Sequence, residues 1–438
     1  MSAPSYHMYA ERIRAAHTIR HYGKVMQVVG LVIESAGPAV SIGKLCTIEN
    51  HDTGAKIRAE VVGFRDNRIL LMPLGPITGI TPGAIVTSTA EHLRVPVGRE
   101  LIGRVLGGLG QPIDGKGPLG TGAWRQLSGE PIPALKRRRI TEPLRTGIRA
   151  VDLVTAVGKG QRLGIFAGSG VGKSIMLGMM ARGTSADVNV LALVGERGRE
   201  VREFVESDLG PEGMRRSVVV AVTSDQPALI RIKGALVATA IAEHFRDQGM
   251  DVLLLMDSLT RIAMAQREIG IAIGEPPTAK GYTPSVFALL PGLLERAGQA
   301  EKGSITGLYS VLVEGDDFNE PVSDAVRSIL DGHVALSRRL AARNQYPAVD
   351  ILDSVSRLMK SVCTPEQVEL AGQVRELLSV YREAEDLINI GAYVRGSNPK
   401  IDRAIAKMDA LDAFFRQGIH EISDFDQSVA QLRQLLAD

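Results

Sequence analysis

Cysteine is almost missing from this chain of 438 residues: there are two, Cys46 and Cys363, far apart and outside any C-x-x-C pair. Neither a disulfide framework nor a zinc site is supported, and buried thiols are the default reading. An excess of one charge sign is missing as well. With 51 basic against 49 acidic residues the formal net charge is +2, which makes no large field to draw in nucleic acid or an acidic membrane. No uncharged apolar stretch approaches the ~20 residues that a membrane helix needs. The opening "MSAPSYHMYAERIRAAHTIRHYG" lacks the apolar core of a secretory signal, so a cytoplasmic location is expected. Internal repeats and low-complexity tracts are absent too. At about 150 residues per domain the length reads as roughly three domains.

What is present changes character along the chain. Residues 5–22 place Tyr6, Tyr9, Ile13, Ala16 and Ile19 at spacings of three and four, with Arg12, Arg14 and Arg20 elsewhere. That spacing predicts an amphipathic helix, which either packs on its own domain or serves as a partner-binding arm. From Lys24 to Thr89, short Val/Ile/Leu runs such as "VMQVVGLVI" and "RILLMPL" are broken by Gly, Pro and Asn-Asp turn signals, the pattern of a small β domain, most simply a barrel. Residues 90–145, with "KRRR" at 136–139, read as an irregular connection with a solvated basic face. Between Thr146 and Met359, buried-strand candidates ("LGIFA", "VNVLALV", "SVVVAV", "VLLLM", "SITGLYSVLV") alternate with helical stretches, which predicts a parallel α/β core. After Thr364 turn residues thin out and a helical C-terminal region begins.

A loop that cradles phosphate needs bare backbone N–H groups and a helix N-terminus behind them. "GIFAGSGVGKSIMLGMM" supplies both: a strand, then Gly168, Ser169, Gly170, Val171 and Gly172, then Lys173 and Ser174 opening a helix. The pattern G-x-x-x-x-G-K-[ST] is met except at its first position, where Ala167 stands next to Gly168. In such a loop the lysine reaches the β and γ phosphates and the hydroxyl binds Mg²⁺. Asp257 ends the strand of "DVLLLMDS", where an acid can hold that ion through water. Glu196 and Arg197 follow another core strand in "LALVGERGREV", which offers a group to polarise a water and a cation for the γ-phosphoryl.

Together "GIFAGSGVGKS", "GERGREV", "LLLMDSLTR", "VLVEGDDFNEPVSDAVRSILDGH" and "YPAVDILDSVSR" resemble the catalytic subunits of the rotary ATP synthase superfamily, and within it the flagellar and injectisome type III protein-export ATPases. The likeness runs from "RHYGKVMQVVGLVIESAG" to "INIGAYVRGSN", and the alanine that opens the phosphate loop is itself like the export branch. The resemblance implies an α/β fold: a P-loop, RecA-like parallel-sheet core (146–362), an N-terminal β-barrel (23–92), a linker (93–145), a C-terminal helical domain (363–438) and an N-terminal arm (1–22). It implies ATP as substrate and Mg²⁺ as cofactor. Glu196 matches the catalytic glutamate, Arg197 a phosphate-side arginine, Asp257 the magnesium acid and Arg261 a residue close to the γ-phosphate. Tyr346 matches the tyrosine that stacks on adenine, and Arg357 the arginine finger lent to a neighbouring subunit of a homohexamer. The partners it implies are a dimeric regulator on the arm, a coiled-coil stalk in a channel lined by residues 274–298, chaperone–cargo complexes on the C-terminal helices, and a membrane export gate that holds the enzyme peripherally at the inner membrane.

Three rival readings stand beside this one. A rotary synthase subunit needs an acidic lever run, and no "DELSEED"-like segment lies between Thr364 and Asp438. A hexameric RNA translocase needs aromatic rings on its barrel for bases to stack on, and Phe64 is alone between Lys24 and Thr89. A non-hydrolysing scaffold typically lacks the glutamate, which is present as Glu196. Between export systems, "LINIGAYVRGSNPKIDRAI" looks more flagellar than injectisome-like.

Overall fold

The computed structural model describes residues 22–50, 52–313 and 320–437. The expected arm therefore lies outside the described residues, apart from Tyr22. The chain divides into two compact units, one comprising the residues up to Leu93 with Ile271–Glu275, the other Arg94–Gly270 with Pro276 onward.

In the first unit, β1 (Tyr22–Val29), β2 (Val32–Ala36), β3 (Lys44–Glu49), β4 (Lys56–Arg65), β5 (Arg68–Pro73) and β6 (Ile85–His92) close a barrel in the order β1-β2-β5-β4-β3-β6. Closure leaves no unpaired edge for another strand to join. Antiparallel register fixes which residues point inward: Cys46 faces Ala59 and Ile48 faces Ile57 across β3 and β4. Cys46 and Ile48 pack with Ile33, Val61, Leu71 and Val86 into the barrel's own core. The β4–β5 hairpin turns on Asp66 and Asn67, both with positive φ (46° and 64°), as a two-residue turn matched to strand twist requires.

The second unit opens with short pieces in the stretch read as a connection. There β7 (Arg94–Val97) pairs with β9 (Ala123–Gln126), β8 (Val105–Leu106) joins the edge of the central sheet, and β10 (Pro143–Leu144) pairs with β11 (Val157–Gly158). Strands of two to four residues are too short to show a period. The central sheet is built from β12 (Arg162–Ala167), β13 (Val188–Glu196), β14 (Ser217–Thr223), β15 (Asp251–Asp257), β17 (Ser304–Leu312), β18 (Gly332–Leu336) and β19 (Val349–Ser356), with β16 (Gly298–Gln299) beside β17. Its order is β19-β18-β12-β17-β15-β13-β14-β8. Strands such as β13 and β15 are apolar along nearly their whole length because helices cover both faces of a parallel sheet.

β19 alone in the main path runs antiparallel to its neighbour. From the pair His333–Val355 to the pair Ala335–Asp350, β18 advances two residues while β19 uses five. This bulge is held from within: Asp350 Oδ1 accepts the N–H of Leu352 at 3.0 Å and of Asp353 at 3.2 Å, while the Ser354 hydroxyl accepts the N–H of Ala335 at 3.0 Å. From outside, Arg382 grips both oxygens of Asp350 at 2.7 Å.

Three helices, Pro365–Asn389, Pro399–Phe415 and Phe425–Ala437, make the C-terminal region. The first two start on capping side chains, Thr364 and Asn398, each followed by proline at the first helical position, where its missing N–H costs nothing. Leu370, Val374, Leu411, Phe415 and Leu432 pack into the same core as Val349 and Ile351 of β19. Among the described residues no helix is long and apolar enough to cross a membrane.

Candidate active site

Strand β12 ends at Ala167, and the chain turns through Gly168–Gly172 into the helix Lys173–Gly183. Gly170 and Gly172 sit at φ 78° and 89°, backbone that a Cβ disfavours. A Cβ on Gly172 would lie 3.3 Å from Cε1 of Tyr346, so the tyrosine ring packs directly on the loop. Ser169, Gly170 and Ser174 are exposed, whereas Val171 is 1% exposed and belongs to the core. What Val171 has to offer a phosphate is therefore its main-chain N–H. No side chain caps this helix, so its first N–H groups are left for an anion.

The loop faces charges delivered by neighbouring strand ends. Asp257, the last residue of β15, is 2% exposed and its Oδ1 accepts from Lys173 Nζ at 2.5 Å and from the Ser310 hydroxyl at 2.5 Å. Glu196, the last residue of β13, takes a two-pronged ion pair from Arg261, Nε to Oε1 at 3.1 Å and Nη2 to Oε2 at 3.2 Å. Gly195 just before it has φ 76°, and a Cβ there would meet Arg261 Cδ at 2.7 Å, so the approach of the arginine depends on that glycine. Burial, then the negative charge of Asp257, raise the Glu196 carboxyl above its ordinary range, against the pull of Lys173 and Arg261. Glu200 is lowered, first by its hydrogen bond with Glu196, so of the two carboxyls Glu196 is the one that holds a proton more readily. Arg197 is exposed at 76% of its side chain and pairs with Glu200 at 3.6 Å.

Gly168, Ser169, Gly170, Gly172, Lys173, Ser174, Glu196, Arg197, Arg261 and Tyr346 all line one cleft, with Glu200, Ser258, Ile175 and Leu312 beside them. Glu200 and Ser310 had escaped the sequence reading. Glu200 lies in the first turn of the short helix Gly198–Glu203 that follows the strand ending at Glu196. Ser310 reaches Asp257 only because β17 lies beside β15 in register, Met256 opposite Tyr309, which sequence spacing does not show.

Arg357 is elsewhere. Because β19 is antiparallel, Val349 pairs with Leu336 near the phosphate-loop edge, while Ser356 pairs with Gly332 at the other edge. Arg357 follows Ser356, is exposed, and donates its N–H to Asp331 at 3.0 Å. A strand of this length separates it from the cleft by on the order of 15–20 Å at about 3.3 Å per residue.

Among the described residues no three His, Cys, Asp or Glu side chains gather as a metal site. One buried carboxylate and one exposed hydroxyl fit an ion such as Mg²⁺, which keeps several waters and takes its remaining ligands from substrate phosphates.

A phosphate loop, a strand-end aspartate and a strand-end glutamate along the carboxyl edge of a parallel sheet define a P-loop ATPase. The chain belongs to the ATP synthase alpha/beta family: the model of its nucleotide-binding domain matches residues 147–356, that of its beta-barrel domain 25–90, and that of the T3SS EscN ATPase C-terminal domain 363–434. It is 56% identical over 425 residues to the flagellum-specific ATP synthase of Bacillus subtilis (strain 168), covering 97% of each chain. With the type 3 secretion system ATPase of Xanthomonas euvesicatoria it shares 49% identity over 96% of this chain and 95% of that one. Among solved structures, the assembled ATPase EscN of the enteropathogenic E. coli type III secretion system superposes with a TM-score of 0.90 at 43% identity, over 94% of this chain and all (100%) of that one. EscN in complex with its central stalk EscO gives 0.87 at 42% identity, over the same shares of 94% and 100%. The chain is thus an ATP hydrolase with the expected barrel, parallel-sheet core and helical C-terminal region.

Proposed function

We propose that this ATPase serves a flagellar type III protein-export apparatus, where hydrolysis of Mg-ATP by a homohexamer promotes release, unfolding and entry of export substrates at a membrane gate. The arrangement of Lys173, Asp257, Glu196 and Arg261 along one sheet edge carries the catalytic part of this reading, and the 56% likeness to a flagellum-specific relative carries the flagellar part.

The main-chain N–H groups of Gly168, Ser169, Gly170, Val171 and Gly172 cradle the phosphates. Lys173 turns from Asp257 to the β and γ phosphates. Ser174 and Asp257 would hold Mg²⁺, which when bound would supply charge neutralisation at the phosphate oxygens. Glu196 orients and polarises the attacking water, which requires it to be ionised and released from Arg261. Arg261 and Arg197 then take up charge on the γ-phosphoryl. Tyr346 stacks on adenine. Arg357, on the far edge of its own sheet, serves a neighbour's site, so one chain is incomplete and a ring completes it.

The other partners follow the family. The arm 1–22 meets a dimeric regulator, residues 274–298 line a channel for a coiled-coil stalk, and the C-terminal helices meet chaperone–cargo complexes, with the enzyme peripheral at the inner membrane. No nucleic acid is involved. The solved EscN complex with its stalk supports the channel. The test is ATP turnover with and without Mg²⁺, beside complementation of a motile bacterium that lacks its own export ATPase. Restored motility is expected; restored secretion through an injectisome instead, without motility, would move the chain to that branch.

A further inference from the structure

Strand β17 reads "SITGLYSVL" from Ser304 to Leu312, and all but its last residue are buried. Ser310 is 0% exposed, and its hydroxyl gives its one proton to Asp257 Oδ1 at 2.5 Å. An alanine would fill that place without the cost of burying a hydroxyl, so the use of the serine lies in the carboxylate it faces. Lys173 Nζ donates to the same oxygen at 2.5 Å, and Oδ2 accepts no hydrogen bond among the described residues. Both restraints on this carboxylate therefore act on one atom, and one of them is temporary, because Lys173 has to turn to the phosphates when nucleotide binds. The torsion that sets the plane of an aspartate carboxylate is broad and roughly two-fold. Nothing within the side chain would then hold that plane.

We propose that Ser310 is the positioning residue of the magnesium acid. After Lys173 has left, the Ser310 hydroxyl alone holds Oδ1 and keeps the carboxylate plane fixed, with Oδ2 free to accept from the water shell of Mg²⁺. The serine is itself tied down. Two residues on, the N–H of Leu312 is accepted by the buried Thr260 hydroxyl at 2.9 Å, in the first turn of the helix Leu259–Ile273 that follows Asp257. A residue that touches the group serving an ion, and not the ion, commonly changes metal affinity by about 10-fold or more. This role rests on the reading of Asp257 as the acid that serves Mg²⁺.

Mn²⁺ suits the same oxygen ligands as Mg²⁺, and the free ion is counted by electron paramagnetic resonance. Titrated into the full-length chain saturated with ADP, Mn²⁺ should bind Ser310→Ala about 10-fold more weakly than wild type. ADP alone, in EDTA, is held by the loop and Lys173 and should bind both within about 2-fold. Ser310→Thr keeps a hydroxyl and should recover most of the loss. If its extra methyl lowers the melting temperature by circular dichroism, Ser310→Cys, a weaker donor, takes its place and should fall between serine and alanine. Unchanged Mn²⁺ affinity in Ser310→Ala, a loss of metal-free ADP binding as large as the loss of Mn²⁺ binding, or a well-folded donor variant no better than alanine would overturn the role. Asp257→Asn keeps the two readings apart. Mn²⁺ binding that ignores Asp257→Asn removes Asp257 from the metal site, and Ser310 with it; Mn²⁺ binding that is weakened by Asp257→Asn and untouched by Ser310→Ala overturns the role of Ser310 alone.

Discussion

The barrel and the central sheet solve the same burial problem in opposite ways. In the barrel, side chains alternate in and out, the strands close on themselves, and inward positions such as Cys46 and Ile48 have no solvent-facing chemistry. In the central sheet the strands are buried on both faces and end together at one edge, and strands such as β13 and β15 carry their charged residues only at their ends. That edge is where Glu196, Asp257 and the phosphate loop emerge. A closed antiparallel barrel holds itself together, whereas an open parallel sheet collects residues distant in sequence at a single line.

The comparison predicts that damage at the sheet edge removes turnover and damage in the barrel removes stability. Arg357→Ala should lower turnover by about 10³-fold or more. Mixing that variant with Lys173→Ala should restore part of the activity, since some interfaces of a mixed ring pair an intact loop with an intact finger. Co-assembly proven by native mass spectrometry without any recovery would place Arg357's action within its own chain. Glu196→Gln should cost about 10²–10⁴ in kcat while equilibrium binding of a fluorescent ATP analogue stays near wild type. Ile48→Ala should do the reverse. A loss of about 2–5 kcal/mol is expected from the cavity it leaves, read as faster hydrogen exchange in β3, β4 and β6, with exchange in β12 and β15 unchanged.

The smallest effect is on pH dependence. Glu196 must be ionised to act as a base, and its carboxyl is raised by burial first and by Asp257 second. Activity is therefore complete only above that raised value and falls as pH drops through it. The ionised Glu200 accepts a hydrogen bond from protonated Glu196 and so favours the proton on it. Replacing it in Glu200→Gln should move the acid limb of kcat/KM to lower pH, and a limb that stays put would mean the two carboxyls do not share a proton.

How much of this was legible beforehand follows the same division. The phosphate loop, Asp257 and Glu196 were visible because each is a short pattern on one strand end, and the barrel and helical C-terminal region were visible through turn punctuation and its loss. Ser310 beside Asp257, Gly195 beneath Arg261 and Tyr346 on Gly172 were not, because these contacts join strands or loops whose adjacency is decided only by sheet order. The remoteness of Arg357 from the cleft hangs on one fact no motif contains, that β19 runs backwards.

That reversal has a mechanical side. A short strand links Tyr346, just before its start, to Arg357, just after its end, and so spans the sheet like a rocker arm with one tip at each edge. The arm is jointed, for the three extra residues of the bulge sit partway along it, and Arg382 of the C-terminal helices is the pin through that joint. A tilt at the tyrosine tip has to cross that joint to reach the arginine tip, and the joint is stiffened by its own hydrogen bonds, by Arg382 and by Arg375, which donates to the main-chain oxygens of Ile351 and Ser354.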